Sequence, residues 1–328
     1  MKPPAFSYHA PDTVSETLRL LSELGGQAKI LAGGQSLIPL LNMRLASPRH
    51  LVDLRRITEL DTVTVDASGV GVGAMARHAR VERDAATAHA VPLLPTALRL
   101  VAHSVIRNRG TVVGSLAHAD PSAELTAVLA LLDGTVTVAD SSTQRTVSAR
   151  DFFVGPLESC LRPTELAVRA HFPRLPRGSG TAIREVARRS GDYALCGAAA
   201  AVTLDSDRRI RSAWLAYLSL APVPLVVDVT PAVAGSDAHG ADWDAAVHIA
   251  HGWWEPEADI HATAAYRGHL AAVLTRRTLC EAAAAALADS GGAADSIAAT
   301  DSAVTSASPV ASQQPASSRP SGKGNPDA

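Results

Sequence analysis

The stretch ILAGGQSLIPLLNMRL, residues 30–45, breaks a short strand-like run at Gly33-Gly34-Gln35-Ser36 and then resumes as a helical apolar pattern. Two adjacent glycines after a strand let the backbone approach an anion closely. The N–H groups of Gly34, Gln35 and Ser36 can then converge on phosphate oxygens where the next helix begins. By themselves the same residues also suit an ordinary turn without a ligand.

Outward from this loop, residues 12–24 read as an amphipathic helix, with Asp12 as cap and Val14, Leu18, Leu21 and Leu24 on one face. With the strand, the glycine loop, the second helix and Leu51-Val52-Asp53-Leu54, this makes a small α/β unit. From Asp61 the pattern changes. Val63 and Val65 alternate with polar residues, Asp66 to Gly69 supply a turn, and Val70 and Val72 alternate again, as in a β-hairpin. The string Gly69-Val-Gly71-Val-Gly73 superficially matches a dinucleotide fingerprint, but its glycines lie in and after the hairpin turn and not at a strand-to-helix junction.

Pro92 to Ser104 reads as a helix, followed by a second donor-rich loop, IRNRGTVVGS at 106–115. His118-Ala119-Asp120-Pro121 leads into the helix of Glu124, with Asp120 as cap and Pro121 as first residue. Strands are expected between Thr135 and Val147 and from Glu165 to Phe172, closed by Pro173. Beyond the connector Pro173–Gly180, strand-like segments near 181–188, 196–204 and 213–220 precede helical segments near 241–252 and 262–288, an α+β arrangement. From 289 to 328 the chain is almost entirely Ser, Ala, Gly, Pro, Asp, Thr and Gln, and reads as a disordered tail.

Composition narrows the function. A net charge of -2 gives no electrostatic reason for nucleic acid, and 4% aromatics cannot build a stacking platform for bases. Cys160, Cys196 and Cys280 form no CxxC pair, so neither a disulfide framework nor a cysteine-held cluster is encoded; they read as buried small apolar residues. His248 and His251 have one-turn spacing without an evident third ligand, which favours a packed or solvated pair over a metal. No run reaches signal-peptide or membrane-span character, so a cytoplasmic location is the default expectation.

Three segments in order, LAGGQSLIPLLNMRLASPRHLVDL at 31–54, IRNRGTVVGSLAHADPSAEL at 106–125 and DIHATAAYRGHLAAVLTRRTL at 259–279, closely resemble the FAD-binding medium subunit of molybdenum hydroxylases, the group that includes carbon monoxide, nicotine and xanthine dehydrogenases. The resemblance implies an α+β fold: a vanillyl-alcohol-oxidase-like (PCMH-type) FAD-binding domain of two α/β subdomains, at 1–58 and 59–175, then a smaller α+β C-terminal domain at 176–288 with an antiparallel sheet and helices. It implies that Ala32, Gly33, Gly34, Gln35 and Ser36 line the diphosphate of a noncovalent FAD, and that Thr111, Val112, Val113, Gly114 and Ser115 form the second wall of the cleft. His118 would lie near the flavin end and Glu124 near the ribityl chain. Gly191-Asp192-Tyr193 matches a loop whose aromatic residue, here Tyr193, approaches the reactive flavin edge and restricts access to it, with Asp192 beside it. Arg184 corresponds to a basic position in some relatives.

Two departures stand out. Val113 occupies the place of the first glycine in the family's Thr-Ile-Gly-Gly; if that position requires positive φ or touches the phosphate, a β-branched residue costs on the order of 1–3 kcal/mol. The stretch Leu218–Pro224 also lacks a glycine often found there. The function implied is an electron-transfer subunit of a heterotrimeric enzyme, passing electrons from iron–sulfur clusters through FAD to an external acceptor. The [2Fe-2S] clusters and the molybdenum cofactor would lie on partner chains, a small iron–sulfur subunit and a large molybdenum subunit, in a dimer of heterotrimers. Two alternatives remain: a structural subunit without FAD, and a stand-alone FAD oxidase.

Overall fold

Parallel strands need crossover connections, and the first fifty residues supply two. β1 (Ser7–His9), β2 (Ala28–Leu31) and β3 (His50–Asp53) form a parallel sheet in the order β1-β3-β2. It is connected through α1 (Val14–Leu24) and α2 (Leu37–Asn42). α1 buries Leu18 and Leu21, as its periodicity requires, but its cap is Thr13 and not Asp12. The Thr13 hydroxyl accepts the Glu16 N–H at 3.1 Å, and Glu16 reaches back to the Asp12 N–H at 3.0 Å. Ser/Thr three residues before Glu closes this reciprocal pattern, and Asp12 lies one residue too early for it. The computed structural model describes the backbone of residues 2–301 and the side chains of 2–289.

The hairpin is present as β4 (Val63–Asp66) and β5 (Gly69–Gly73), whose turn is closed by the Asp66 carboxylate accepting the Ser68 N–H at 2.8 Å. Arg169 crosses over Gly71 to donate to the Thr64 hydroxyl at 2.7 Å, and the space a Cβ on Gly71 would need is filled by its guanidinium. That glycine therefore makes way for an arginine and not for a dinucleotide. β6 (Thr135–Ala139) and β7 (Gln144–Ser148) pair with each other, β8 (Phe153–Gly155) pairs with β9 (Glu158–Ser159), and β10 (Leu166–Pro173) completes an antiparallel sheet in the order β4-β5-β10-β6-β7. Pro173 does not stop β10 early; it is the strand's last residue, opposite Gly69.

Between the hairpin and β6 run short helices: α3 (His78–Arg83), α4 (Ala85–Ala90), α5 (Leu93–Leu98), α6 (Ser104–Arg107), α7 (Val112–His118) and α8 (Glu124–Leu131); α9 (Ala149–Phe152) follows β7. The single helix expected over 92–104 is cut short because the chain turns at Ala102, φ 42°. Arg107 ties the turn down, donating to the carbonyls of Val101 and Ala102 while pairing with Glu82 at 2.8 Å. α8 also starts later than expected. Its N-cap is Ala123, and Asp120 instead accepts the Ser122 N–H at 2.9 Å in the preceding turn.

The rest of the chain through Ser290 adds one more layer pair within the same compact unit. β11 (Ser179–Ala187), β12 (Ala194–Leu204), β13 (Ile210–Leu218) and β14 (Leu225–Asp228) form an antiparallel sheet in that order; β14 had no sequence signal of its own. Every residue of β12 is buried. Alternation explains this: Ala199 and Ala201 join the core shared with α8, while Cys196, Ala198, Ala200 and Val202 join a second core with α10 (Thr230–Val233), α11 (Trp243–His251) and α12 (Ala264–Asp301). Of the cysteines, Cys196 is buried as expected, but Cys160 is half-buried and Cys280 exposed. α12 runs on past residue 289, and residues 302–328 of the expected tail lie outside the described residues. No helix among the described residues is long and apolar enough to cross a membrane.

Candidate functional site

The two glycine-containing loops meet. Gly33 follows β2 so closely against the second loop that a Cβ on it would lie 2.6 Å from the Arg109 carbonyl oxygen and 2.7 Å from Gly110 Cα. Gly34 takes φ 73°, the left-handed region that glycine enters at least cost, and the chain then turns into α2. The Gln35 side chain donates to the Gly33 carbonyl at 2.9 Å and braces the turn. Among the described residues, nothing accepts a hydrogen bond from the backbone N–H of Gly34, Gln35 or Ser36. Three half-buried donors on one turn suit an anion.

The second loop is built differently from the expectation. Thr111 caps α7, its hydroxyl accepting the Gly114 N–H at 3.1 Å and its carbonyl the Ser115 N–H at 3.0 Å, while the Val112 N–H goes to the Ala76 carbonyl at 3.3 Å. Most donors of this wall are therefore spent inside the protein. Val113 lies in the first turn of α7, outside the positive-φ set, with its side chain 2% exposed in the core. The penalty feared for a β-branched residue is absent, because the side chain points away from the cleft into apolar packing. Val112, fully buried, does the same. What faces loop one from this wall is Gly114, where a Cβ would lie 3.6 Å from Ala32 Cβ.

Beyond α7 the chain enters an acidic corner. Glu124, half-buried at the start of α8, has its carboxyl raised to about 8, first by burial and then by the charge of Glu185. Burial raises Glu185, on β11, to about 7, and its Oε2 is buried without a partner. Tyr193 is 67% exposed, and partial desolvation followed by Asp120 and Glu124 holds its phenol above the usual value. His118, at the end of α7, is lowered by desolvation, against the pull of Asp120. Asp120 thus bears on His118, Glu124 and Tyr193 together. Gly191, φ 82°, carries this loop over the His103 ring, and Asp192 pairs with Arg189 at 3.3 Å. Arg184 points the other way, to Glu281 at 3.0 Å.

Four residues of this region had no sequence signal as site residues. Asp120 was read only as a cap, and Glu185 sits in an unremarkable strand. His78 is buried with neither ring nitrogen partnered, and burial lowers it to about 4; its ring lies against Gly110, 3.1 Å from where a Cβ would be. Arg77 donates to the Arg109 carbonyl at the loop contact; burial, and also the charge of Arg109, lowers its guanidinium. The charges of Asp61 and Asp53 oppose both effects. Arg77 and His78 reach the Arg109-Gly110 turn across 32 positions of chain, which no local pattern encodes.

A cavity of about 580 Å³ lined by His251, Trp254 and His269 lies in the C-terminal part, away from both loops. Among the described residues no group of three His, Cys, Asp or Glu could hold a metal.

Comparison with known proteins bears on the family and the fold. Residues 4–175 match the FAD binding domain in molybdopterin dehydrogenase, and residues 181–282 the CO dehydrogenase flavoprotein C-terminal domain. The chain is 39% identical to the 6-hydroxypseudooxynicotine dehydrogenase complex subunit alpha of Paenarthrobacter nicotinovorans, over 86% of this chain and 96% of that protein. Its structure is similar to a chain of the carbon monoxide dehydrogenase of Hydrogenophaga pseudoflava, with TM-score 0.82, 33% identity, and 87% of this chain and 99% of that chain covered. The same TM-score of 0.82, with 39% identity and the same coverage, 87% and 99%, relates it to a chain of quinoline 2-oxidoreductase from Pseudomonas putida 86.

Proposed function

We propose, for a chain that belongs to the FAD-binding medium subunits of the molybdenum hydroxylases, that it takes electrons from iron–sulfur clusters on a partner chain and passes them through FAD to an external acceptor. The observation that carries the reading is the meeting of the loops at Gly33 and Gly110 beside the unengaged N–H groups of Gly34, Gln35 and Ser36. A diphosphate removed from bulk water needs such donors, and the small residues leave it room. FAD, when bound, supplies the redox chemistry; the protein supplies placement and electrostatics.

In this reading the first loop, Ala32 to Ser36, holds the diphosphate, with Arg77 and Arg109 as candidate counter-charges. The wall from Thr111 to Ser115 acts through shape, and through the Val113 N–H and the half-buried Ser115, more than through many donors. His118 and Glu124 line the path toward the flavin, and Asp192 and Tyr193 stand at its reactive edge, where a Tyr ring limits access. The domain division at about residues 58 and 175 follows the three main sheets, which span residues 7–53, 63–173 and 179–228. Cluster and molybdenum chemistry are assigned to a small and a large partner subunit because the three cysteines of this chain are scattered and free; the dimer of heterotrimers and the cytoplasmic location are carried by the family resemblance.

A structural subunit without FAD is the second reading, and it is weakened by Val113, whose side chain does not occupy the cleft. The test is direct. The full chain, expressed with its genomic neighbours and purified, should carry a yellow chromophore released by acid precipitation, and should bring down a cluster-bearing and a molybdenum-bearing subunit. A preparation that takes up no flavin on incubation with FAD would move the assignment to the structural reading. Turnover of substrate by the isolated chain would move it to a stand-alone oxidase.

A further inference from the structure

Tyr193 stands one residue before β12, and β12 begins irregularly. Cys196 lies opposite Val186 and Ala194 opposite Ala187, so Leu195 is one residue more than β11 can pair. The pairing of β12 with β13 starts only at Gly197, opposite Leu218. An extra residue of this kind bends a strand and re-aims the side chains beside it. Within the loop that precedes it, Gly191 rests on the His103 ring, while the Arg189–Asp192 pair ties the loop to no other element.

The two carbonyls at the irregularity are taken by side chains. The Ser219 hydroxyl donates to the Ala194 carbonyl at 2.6 Å, and Nη1 of Arg267 donates to the Leu195 carbonyl and, at 3.3 Å, to the Ser219 carbonyl. Nη2 of Arg267 donates to the Asp259 carboxylate at 2.7 Å, which is itself held by the N–H groups of His261 and Ala262 at 2.8 and 2.9 Å. From Ser219 the connection runs on, its backbone N–H donating at 2.8 Å to the carbonyl of Pro121, in the turn between His118 and Glu124. Arg267 lies in the first turn of α12 and is 7% exposed. An apolar side chain would fill that place without the cost of burying a charge. What the arginine adds is a planar fork with donors in fixed directions.

We infer that Arg267 is a positioning residue for Tyr193: with Ser219 it ties the start of β12 to the Pro121 turn, and so holds the Tyr193 ring where it limits the access of small oxidants to reduced flavin. The tether stands on the hydrogen bonds alone. Its consequence for the flavin rests on the reading of Tyr193 at the reactive edge.

Two measurements test the two parts. Arg188 and Arg189, exposed in the loop before Tyr193, are trypsin sites in the cofactor-free full chain. In Arg267→Gln and in Ser219→Gly cutting there should be severalfold faster, with cutting after the exposed Arg174 and Arg177 of the preceding connector unchanged. Ser219→Gly keeps the left-handed backbone, φ 58°, and loses only the side chain, so it replaces Arg267→Gln throughout if that variant does not fold. Arg267→Lys should recover part of the protection, since an ammonium can reach one carbonyl without the fork.

The second measurement uses the flavin-loaded full chain, reduced anaerobically and mixed with dioxygen, which takes two electrons and two protons from reduced FAD to give hydrogen peroxide. Tyr193→Ala should reoxidise severalfold faster, and so should Arg267→Gln. The double variant should be no faster than Tyr193→Ala, because both changes remove one barrier, whereas an arginine that is merely structural would give additive effects. Unchanged cutting at Arg188 and Arg189, or additive rates in the double variant, would overturn the inference. Reoxidation of Tyr193→Ala at the unaltered rate would withdraw Tyr193 from the flavin edge, and the consequence for the flavin with it, while the trypsin result still decides the tether.

Discussion

Gly33 and Gly110 touch backbone to backbone: a Cβ on Gly33 would lie 2.7 Å from Gly110 Cα. On the other face of Gly110 sits the buried His78 ring, so the second loop is clamped between an imidazole and the first loop. No flexible side-chain tip is available to yield on the Gly33 side, because both close atoms belong to the backbone.

Gly33→Ala should therefore separate the loops. We expect a loss of about 1–3 kcal/mol in stability, the usual range for overpacking, together with markedly weaker FAD binding. Thermal unfolding of the cofactor-free chain and FAD titration measure the two effects. A variant that keeps both would mean that the contact is incidental to the site.

Val113→Gly reads differently once the side chain is seen in the core. Removing it empties a packed position and places glycine within a helix, for an expected cost of about 2–4 kcal/mol. FAD affinity of the folded fraction should not improve. Tighter binding in this variant would show that the valine does reach the cleft.

Stability should depend on pH through the buried carboxyls of Glu124 and Glu185. Both carboxyls are raised in the folded chain, to about 8 and about 7, above the ordinary 4.5. The folded state then holds more protons than the unfolded state between those limits, so their contribution to stability falls as pH rises through that window and levels off above it. In Glu185→Gln the decline should be shallower, and the cofactor-free variant should exceed the unaltered chain in melting temperature at about pH 8. Parallel melting curves against pH would contradict the raised titration of Glu185.

Arg145 holds Glu165 with two hydrogen bonds, at 3.0 and 2.9 Å, while Glu165 itself is 4% exposed. Arg145→Ala strands a buried carboxylate and should cost about 2–4 kcal/mol at neutral pH. Arg145→Lys should recover part of that, because one ammonium cannot reproduce the forked geometry. Equal melting temperatures for the alanine variant and the unaltered chain would mean that solvent compensates the acid fully.

The local patterns that were legible in the chain are those carried by neighbours in sequence. The Gly33-Gly34 turn, the 63–72 hairpin and three strands of the C-terminal sheet each depend on residues within one turn or one strand, and the structure contains each of them, the three strands with ends shifted by one to three residues. Several differences fall on element starts, where two adjacent groups compete for one role. Thr13 displaced Asp12 because only its spacing to Glu16 closes the capping pattern, and Asp120 served the turn before α8 instead of α8 itself. Ser219 shows the same limit: φ 58° places it in the left-handed region, in the stretch where a glycine was missed, and its hydroxyl donates to the Ala194 carbonyl at 2.6 Å. Serine there supplies a bond that glycine could not.

By itself the sequence determined the family and most of the elements in their order, since periodicity, turn residues and motif spacing are properties of short contiguous segments. Only the tertiary structure decided which way Val113 faces, that Gly33 rests on Gly110, and that a carboxylate oxygen of Glu185 is buried without a partner. The physical reason is that burial and charge are set by what the rest of the fold brings alongside a residue. A valine is a clash in one environment and core in another, and a glutamate is an anion in water and a proton holder when it is buried.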